Sequence, residues 1–359
     1  MPISTFFWHL FFADIAVKSI DHKPNRRYLP TTWGYQVNQI DIIPLDAKIG
    51  EPGFLIKVQG SRILFDTPLA LYRREISNTD LNRLQFVGIT HRHRDHFGGI
   101  DRLFFEVPKM PVFAGNEGTS QGIRNKLTAY NLNLFNAFSY RCFELVEKEI
   151  RNIYQPNLSS PPTITTQSGG KIFDIYVGDG YTIRGTILKH GTINSIAYAL
   201  QVDDQYKMNK AKLQQSGLRP GPWINTVKQQ LLSNTLSSTI EINGKELETK
   251  QLLHLFTFQK GTKIAYATDF DISTPNQENL LQLITEADVF LCEAAYLHQD
   301  LHLALQNGHQ TSVHAANLAQ EGKVKKLHLF HHSLRYGKLE NAEDRFREES
   351  TQVFKGPIV

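Results

Sequence analysis

Short apolar runs, separated by polar or helix-like segments, follow one another from Val37 to the end of the chain. Three of them, QIDIIPL, GFLIKV and RILFD, lie between Gln39 and Asp66 and predict the strands of a meander. Further strands are predicted at 86–90, 171–177, 181–188, 263–268, 288–291 and 326–330, and helices at 100–105, 117–132, 278–285 and 311–320. This alternation is typical of an α/β protein. The segment 157–170, rich in Ser, Thr and Pro, is predicted to be a surface loop.

A dense group of metal-binding residue types follows the predicted strand at 86–90. The six residues HRHRDH contain His91, His93, Asp95 and His96. Imidazole nitrogens and carboxylate oxygens are donors that bind zinc and similar divalent ions. On an extended turn His91 and His93 point the same way, while Asp95 and His96 can reach a second ion. The spacing therefore favours two metal ions over one.

Three later residues stand in a matching position along the chain. His190, Asp269 and His331 each follow an apolar run that predicts a strand. Donors at the carboxyl ends of strands in one sheet meet at the same edge, so we expect these three to converge with HRHRDH. His328 and His332 are close neighbours of His331, but His332 points to the opposite face of an alternating strand. His331 is therefore the predicted ligand.

Composition bounds the class of protein. Of the 359 residues, 41% are apolar and 21% are charged, which excludes a disordered chain and a fibrous repeat. The two cysteines, Cys142 and Cys292, exclude a disulfide framework and a Cys-rich zinc fold, and they indicate a reducing cytoplasm. The N-terminal segment is rich in Phe, but His9 and Asp14 interrupt it, so neither a membrane span nor a secretion signal is expected.

The length allows two domains or one large one. We expect an N-terminal extension of unknown role at 1–35, packed on the body or on a partner chain, and a single metal-binding domain at 36–359. The aromatic character of the extension would suit a homodimer.

A basic excursion interrupts the domain at about 203–232. It contains Gly217 and the motif PGP, and its five basic and two acidic residues give +3 of the chain's net charge of +4. This composition predicts an arm that projects from the body. Candidate contacts to a nucleic-acid backbone are Lys207, Lys210, Lys212, Arg219 and Lys228.

The motifs resemble a known family. HRHRDH followed by FGG resembles the HxHxDH signature of the metallo-β-lactamase fold. The arm sequence at 210–231 is similar to that of ribonuclease Z, the endonuclease that removes the 3′ trailer from precursor tRNA. The segments CEAAYL, GHQTSVHAANLA and KLHLFHHSLRY are similar to its last third. The resemblance implies an α/β fold, the four-layer αββα sandwich, with the basic arm attached to it.

The resemblance also implies roles for individual residues. One metal ion would be held by His91, His93 and His190, the other by Asp95, His96 and His331, with Asp269 between them. The ions would be zinc, with manganese or iron as alternatives. Asp95 would accept the proton of the attacking water. His309 would protonate the departing sugar oxygen, and Glu293 would orient His309 and favour its charged form.

Some positions depart from the family pattern. FDTPLALYRR replaces an acidic, glycine-containing segment after the matching Asp66, and Cys292, Ala295 and Thr268 stand where the family usually has His, Thr and Gly. All seven proposed ligands are nevertheless present. The expected substrate is precursor tRNA. The alternatives are a phosphodiesterase or other hydrolase acting on a small molecule, and a metal-binding or RNA-binding protein without catalytic activity.

Overall fold

The computed structural model describes residues 34–45, 50–73, 76–130, 138–235 and 239–359. Residues 1–33 of the predicted N-terminal extension lie outside the described residues. The described part contains two large β-sheets and two two-stranded sheets.

The first large sheet has nine strands that lie in the order of the sequence. They are β1 (Tyr35–Val37), β2 (Ile40–Pro44), β3 (Phe54–Val58), β4 (Ser61–Phe65), β5 (Leu84–Gly88), β6 (Val112–Asn116), β7 (Tyr140–Val146), β8 (Glu149–Gln155) and β9 (Thr163–Ser168). Strands β4 to β7 pair in parallel, and the outer strands pair antiparallel. The predicted meander is the antiparallel set β2 to β4.

The second large sheet has six strands. In order across the sheet they are β10 (Phe173–Gly178), β11 (Tyr181–His190), β12 (Ile193–Val202), β17 (Lys263–Ala267), β18 (Val289–Glu293) and β19 (Leu327–Phe330). Strands β17 to β19 are parallel, and β12 is antiparallel to both of its neighbours. Strand β11 therefore runs in the same direction as β17, β18 and β19, and the carboxyl ends of all four lie at one edge.

Eleven α-helices accompany the sheets in the described part of the chain. They are α1 (Ala70–Arg73), α2 (Asn78–Asn82), α3 (Arg94–Phe97), α4 (Asp101–Glu106), α5 (Thr119–Ala129), α6 (Lys210–Gln215), α7 (Trp223–Ser233), α8 (Thr274–Ile284), α9 (Leu301–Asn307), α10 (Ser312–Glu321) and α11 (Ala342–Thr351), with 3₁₀ turns at Thr249–Leu255, His298–Asp300 and Leu334–Tyr336. Among the described residues no helix is both long enough and apolar enough to cross a membrane.

The buried apolar residues form three layers of core. One joins the inner faces of the two large sheets and contains Phe65, Tyr198 and Tyr266. A second lies between the nine-stranded sheet and helices α4 and α5, and a third lies between the six-stranded sheet and helices α8 and α10. The order helix, sheet, sheet, helix is the predicted αββα sandwich.

The prediction of a loop throughout 157–170 was wrong. Strand β9 occupies Thr163–Ser168 and pairs with β8 at the edge of the nine-stranded sheet. All six of its residues are exposed, so there is no apolar face to produce the alternation on which strand prediction depends.

The segment between β12 and β17 is a small module that continues beyond the predicted arm at 203–232. Two two-stranded sheets, β13 (Gln205–Met208) with β16 (Phe256–Gln259) and β14 (Thr239–Ile242) with β15 (Lys245–Glu248), accompany helices α6 and α7. The module buries an apolar cluster of its own that includes Trp223, Val227 and Leu255. The arm is therefore a folded unit.

Candidate dinuclear metal site

Strand ends from both large sheets bring the candidate ligands together. The HRHRDH turn follows β5 of the first sheet, whereas His190 ends β11, Asp269 follows β17 and His331 follows β19 of the second. Asp269 and His331 have positive φ angles of 52° and 59°, a backbone region that residues with a side chain seldom occupy. Such conformations recur at functional sites because the surrounding structure enforces them.

The first donor group consists of His91, His93, His190 and Asp269. The Nε2 atoms of His91 and His190 each lie 3.6 Å from Oδ2 of Asp269. One ligand atom from each of the four residues lies within 4.8 Å of all the others. This spacing suits a single metal ion held by three imidazoles and one carboxylate oxygen.

The second donor group consists of Asp95, His96 and His331. Oδ2 of Asp95 lies 3.5 Å from Nε2 of His96 and 3.4 Å from Nε2 of His331. The other oxygen of Asp269, Oδ1, lies 3.4 Å from Nε2 of His96. The two oxygens of Asp269 thus face different donor groups, which is the arrangement that a carboxylate between two ions requires.

Unpaired buried nitrogens show that these residues fit metal ions. Among the described residues, His91 Nε2 and His96 Nε2 are buried side-chain atoms without a hydrogen-bond partner. An unsatisfied buried polar atom costs about 1–3 kcal/mol. Both atoms point at Asp269, and a divalent ion bound there would satisfy them.

The electrostatic environment also suits metal binding. Burial lowers the pKa of His91 well below its ordinary value, and the neighbouring His96 adds to this effect, which favours the neutral imidazole that a metal ion requires. Burial opposes the ionisation of Asp269, but His331 and His96 outweigh it and lower the pKa of this carboxyl well below its usual range. The result is an anionic carboxylate among imidazoles.

Fixed partners orient the ligand rings. Nδ1 of His190 donates a hydrogen bond of 2.8 Å to the carbonyl oxygen of Gly308, so Nε2 is left to face Asp269. Nδ1 of His96 lies 2.9 Å from Oδ2 of Asp66, a fully buried carboxylate. The sequence pattern matches Asp66 to the family but gives it no role in the site. Metal-binding histidines commonly use their second nitrogen in this way.

His309 and Glu293 form a buried pair beside the two donor groups. Nδ1 of His309 lies 2.8 Å from Oε2 of Glu293, whose side chain is fully buried. Burial would lower the pKa of His309, but the Glu293 carboxylate prevails and raises it above the ordinary value. The His309 ring centroid is 5.0 Å from that of His190 and 5.7 Å from that of His331. The imidazole of His309 therefore lies next to both groups.

The two other histidines near β19 lie outside the donor groups. Nδ1 of His332 donates to the carbonyl oxygen of Ala294 at 2.8 Å, and its ring stacks on Phe346. Nδ1 of His328 is 3.1 Å from the hydroxyl of Tyr35. The structure brings His331, not these neighbours, to the other candidate ligands.

The five basic residues of the arm are not near the metal ligands. Strand β12 begins beside His190 and reaches the arm after ten residues, a length of about 33 Å. Lys207, Lys210, Lys212 and Arg219 are exposed and Lys228 is partly exposed. The module that carries them therefore begins at the sheet end opposite the donor groups.

Comparisons with known proteins agree with the sequence motifs. No protein-family model matches the chain. The chain is 27% identical over 340 residues to a ribonuclease Z of Clostridium beijerinckii, covering 89% of this chain and 95% of that protein. It is 26% identical to a ribonuclease Z of Archaeoglobus fulgidus, with coverages of 86% and 89%. The resemblance to ribonuclease Z is thus confirmed over most of the length.

Solved structures give the same fold. A metallo-β-lactamase-fold protein from Bacillus subtilis matches with a TM-score of 0.51 and 14% identity, covering 89% of this chain and 95% of that one. The short form of human tRNase Z matches with a TM-score of 0.51 and 17% identity, covering 82% and 93%. The chain therefore has the predicted metallo-β-lactamase fold.

Proposed function

We propose, on the premise that this chain shares the fold and the full donor set of ribonuclease Z, that it is a metal-dependent endoribonuclease that removes the 3′ trailer from precursor tRNA. The observation that carries the proposal is the position of His309. It is paired with Glu293 at 2.8 Å and lies beside both donor groups, which are contacted by different oxygens of Asp269. A site with two cation-binding groups and an adjacent proton donor suits the hydrolysis of a phosphodiester.

The metal ions have assigned ligands in this proposal. His91, His93 and His190 would hold one ion and Asp95, His96 and His331 would hold the other, with Asp269 available to both. When bound, two divalent ions would supply positive charge that stabilises the phosphate oxygens and lowers the pKa of a water. Zinc is the proposed metal because it accepts imidazole and carboxylate ligands, as manganese and iron also do.

Asp95 is placed to accept the proton of the attacking water. Its side chain is 37% exposed, whereas those of Asp269 and Glu293 are 4% and 0% exposed. Burial opposes its ionisation, but contacts with His331 and His96 lower its pKa, so it is ionised at neutral pH. Of these three carboxylates, Asp95 is thus the one that a solvent molecule can reach.

His309 protonates the 3′ oxygen that leaves with the mature tRNA. Its side chain is 17% exposed, enough to touch a bound substrate, and the Glu293 carboxylate beneath it favours the charged imidazolium. Glu293 is fixed in turn by a hydrogen bond of 3.0 Å from the backbone amide of Phe270. The pair therefore supplies a proton at a fixed place.

The arm would hold the tRNA away from the point of cleavage. Lys and Arg contacts to phosphates give affinity without sequence preference, which suits an enzyme that recognises the common shape of tRNA. We further propose a cytoplasmic location, because Cys142 and Cys292 are both free and buried. A homodimer remains part of the proposal.

The test is cleavage of a precursor tRNA carrying a 3′ trailer, compared with hydrolysis of bis(p-nitrophenyl) phosphate. We expect one cut at the trailer junction that leaves a 3′ hydroxyl, and we expect His93→Ala to abolish cleavage of both substrates. Hydrolysis of the small phosphodiester without any cut in the tRNA would support the small-molecule alternative. Metal binding without turnover of either would support the non-catalytic one.

A further inference from the structure

Two tyrosines of the inter-sheet core are nearly equivalent in packing but differ in the partner of their hydroxyl group. Tyr198 and Tyr266 are both fully buried, and both rings stack on Phe65, at 5.5 Å and 5.3 Å between centroids. The hydroxyl of Tyr198 donates to the backbone carbonyl of Ile89 at 2.7 Å. The hydroxyl of Tyr266 donates instead to Oδ2 of Asp66, also at 2.7 Å.

Asp66 is the centre of a buried hydrogen-bond network. Its Oδ1 accepts the backbone amide of Thr90 at 2.7 Å, and its Oδ2 accepts Nδ1 of His96 at 2.9 Å. The hydroxyl of Thr90 donates to the same carboxylate, at 3.0 Å from Oδ2. Asp66 has a positive φ of 56°, which turns its side chain inward after β4. With Tyr266, the donors to this carboxylate come from both sheets.

The network determines which nitrogen of two candidate ligands is available. Because the single hydroxyl proton of Thr90 is donated to Asp66, Thr90 Oγ1 accepts from Nδ1 of His91, 3.1 Å away. Nδ1 of His96 donates to Asp66. In the neutral rings the proton is then on Nδ1, and the lone pair of Nε2 is free to bind a metal ion. These are the same two Nε2 atoms that are buried without a hydrogen-bond partner.

We propose that the hydroxyls of Tyr266 and Thr90 are positioning groups for the metal centre. Tyr266 holds the Asp66 carboxylate against His96, and Thr90 connects that carboxylate to His91. His91 belongs to the first donor group and His96 to the second, so the Asp66 carboxylate helps to orient one candidate ligand of each group. Tyr266 lies on β17, close to the end that leads to Asp269. Its hydroxyl therefore links the six-stranded sheet to candidate ligands that follow β5 of the nine-stranded sheet.

The inference rests on the proposed metal centre but not on the identity of the substrate. Loss of a partner that orients a metal-binding histidine typically lowers metal affinity about 10-fold to 100-fold. Tyr266 acts on His96 only through Asp66, one hydrogen bond further from the ligand. We therefore expect Tyr266→Phe to weaken Zn²⁺ binding by about tenfold at the site that uses His96. Thr90→Val, which removes a hydroxyl that contacts both histidines, should weaken both sites.

The experiment is a Zn²⁺ titration of metal-free protein in competition with a chromogenic chelator, without RNA. Tyr198→Phe is the matched control for Tyr266→Phe, because it removes one buried hydroxyl beside the same Phe65 ring. Thr186→Val is the control for Thr90→Val, since the buried Thr186 hydroxyl bonds only the backbone of Lys171 among its described contacts. The Co²⁺ absorption spectrum of each variant reports ligand geometry independently of stability.

The outcomes separate positioning from packing. Weaker Zn²⁺ binding and an altered Co²⁺ spectrum in Tyr266→Phe and Thr90→Val, with both controls like the wild type, support the inference. Equal losses in a variant and its control, or wild-type affinity in both test variants, overturn it. If wild-type protein binds no Zn²⁺ at all, the proposed metal centre itself is wrong, which is a different result. Should Tyr266→Phe fail to fold, Thr90→Val decides the question alone.

Discussion

The Nδ1 atom of His309 lies 2.8 Å from Oε2 of the fully buried Glu293, and this contact fixes the His309 imidazole at the edge of the site. The hydrogen bond orients the ring, and the carboxylate raises the pKa of His309. The consequences for catalysis depend on how much the leaving group needs a proton.

His309→Ala should slow cleavage of precursor tRNA by about 10²–10⁴-fold, because the departing sugar oxygen is a poor leaving group without a proton. The same variant should hydrolyse bis(p-nitrophenyl) phosphate at close to the wild-type rate, since p-nitrophenolate leaves unprotonated. The measurement is the ratio of kcat for the two substrates. Equal losses on both would show that His309 does not act as an acid. Glu293→Gln, which keeps the side-chain shape, should reproduce the selectivity with a smaller loss.

Metal occupancy should depend differently on the residues of the two donor groups. Asp269→Ala removes the oxygens that face both groups and should weaken Zn²⁺ binding at both, so that occupancy falls below about two ions per chain. His190→Ala removes a ligand from the first group alone and should leave one ion bound. Atomic absorption of dialysed protein measures the stoichiometry. Loss of both ions from His190→Ala would contradict the division into two groups.

Charge on the arm should control tRNA affinity without affecting the chemistry. We expect the triple variant Lys207→Gln, Lys210→Gln, Lys212→Gln to raise KM for precursor tRNA. The slope of log KM against log salt should fall by about one for each phosphate that the arm no longer neutralises. Hydrolysis of bis(p-nitrophenyl) phosphate should not change. A matched control is Lys109→Gln with Lys171→Gln and Lys323→Gln, which removes three exposed cations outside the module. If the control has the same effect, the arm has no specific part in binding.

Stability should depend on pH through a buried ion pair far from the donor groups. Asp80 lies 2.5 Å from Arg62 Nε and 2.9 Å from Lys57 Nζ. Burial opposes its charge, but hydrogen bonds from Arg62, Lys57 and Ser77 prevail and lower its pKa. The pair therefore stabilises the fold above the unfolded-state pKa of about 3.9, and this contribution is lost as pH falls through the lower folded-state value.

Asp80→Asn tests this dependence. At pH 7 the variant should be less stable by about 2 kcal/mol, because Arg62 loses its charged partner. The difference should shrink as pH falls below about 4, because the carboxyl is protonated first in the unfolded state and only at lower pH in the folded state. Urea unfolding followed by circular dichroism at several pH values measures it. A constant difference down to about pH 2 would show that ionisation of Asp80 does not contribute.

The candidate ligands were predictable because donors are dense in one turn and recur at strand ends. The alternation expected after β19 favours His331 over His332, and the structure brings His331 to Asp95, whereas His332 donates to the carbonyl oxygen of Ala294. The role of the Tyr266 hydroxyl could not be predicted, since a tyrosine in the run KIAYA looks like any core residue. Its partner Asp66 is 200 residues away, and only the packing of two sheets brings them together.

The small module and strand β9 show a second limit. Charge, Gly and Pro predict the arm at 203–232, whereas the remainder of the module, up to β16, has no comparable bias in composition. Its core depends on contacts such as Trp223 with Phe256, whose ring centroids lie 6.5 Å apart and which belong to separate elements, α7 and β16. Single-sequence patterns report local periodicity, and such pairings are not local.

The module leaves and rejoins the body at a single narrow neck. The backbone amide of Val202 donates to Thr262 at 2.9 Å, and the amide of Gly261 donates to the Asp204 side chain at 2.7 Å. Because the two ends of the module are so close together, the whole module could be removed or replaced by joining the chain through one short linker, without interrupting the sandwich. The proposed RNA binding by the module and the proposed hydrolysis at the metal site could therefore be altered independently, in evolution or in the laboratory.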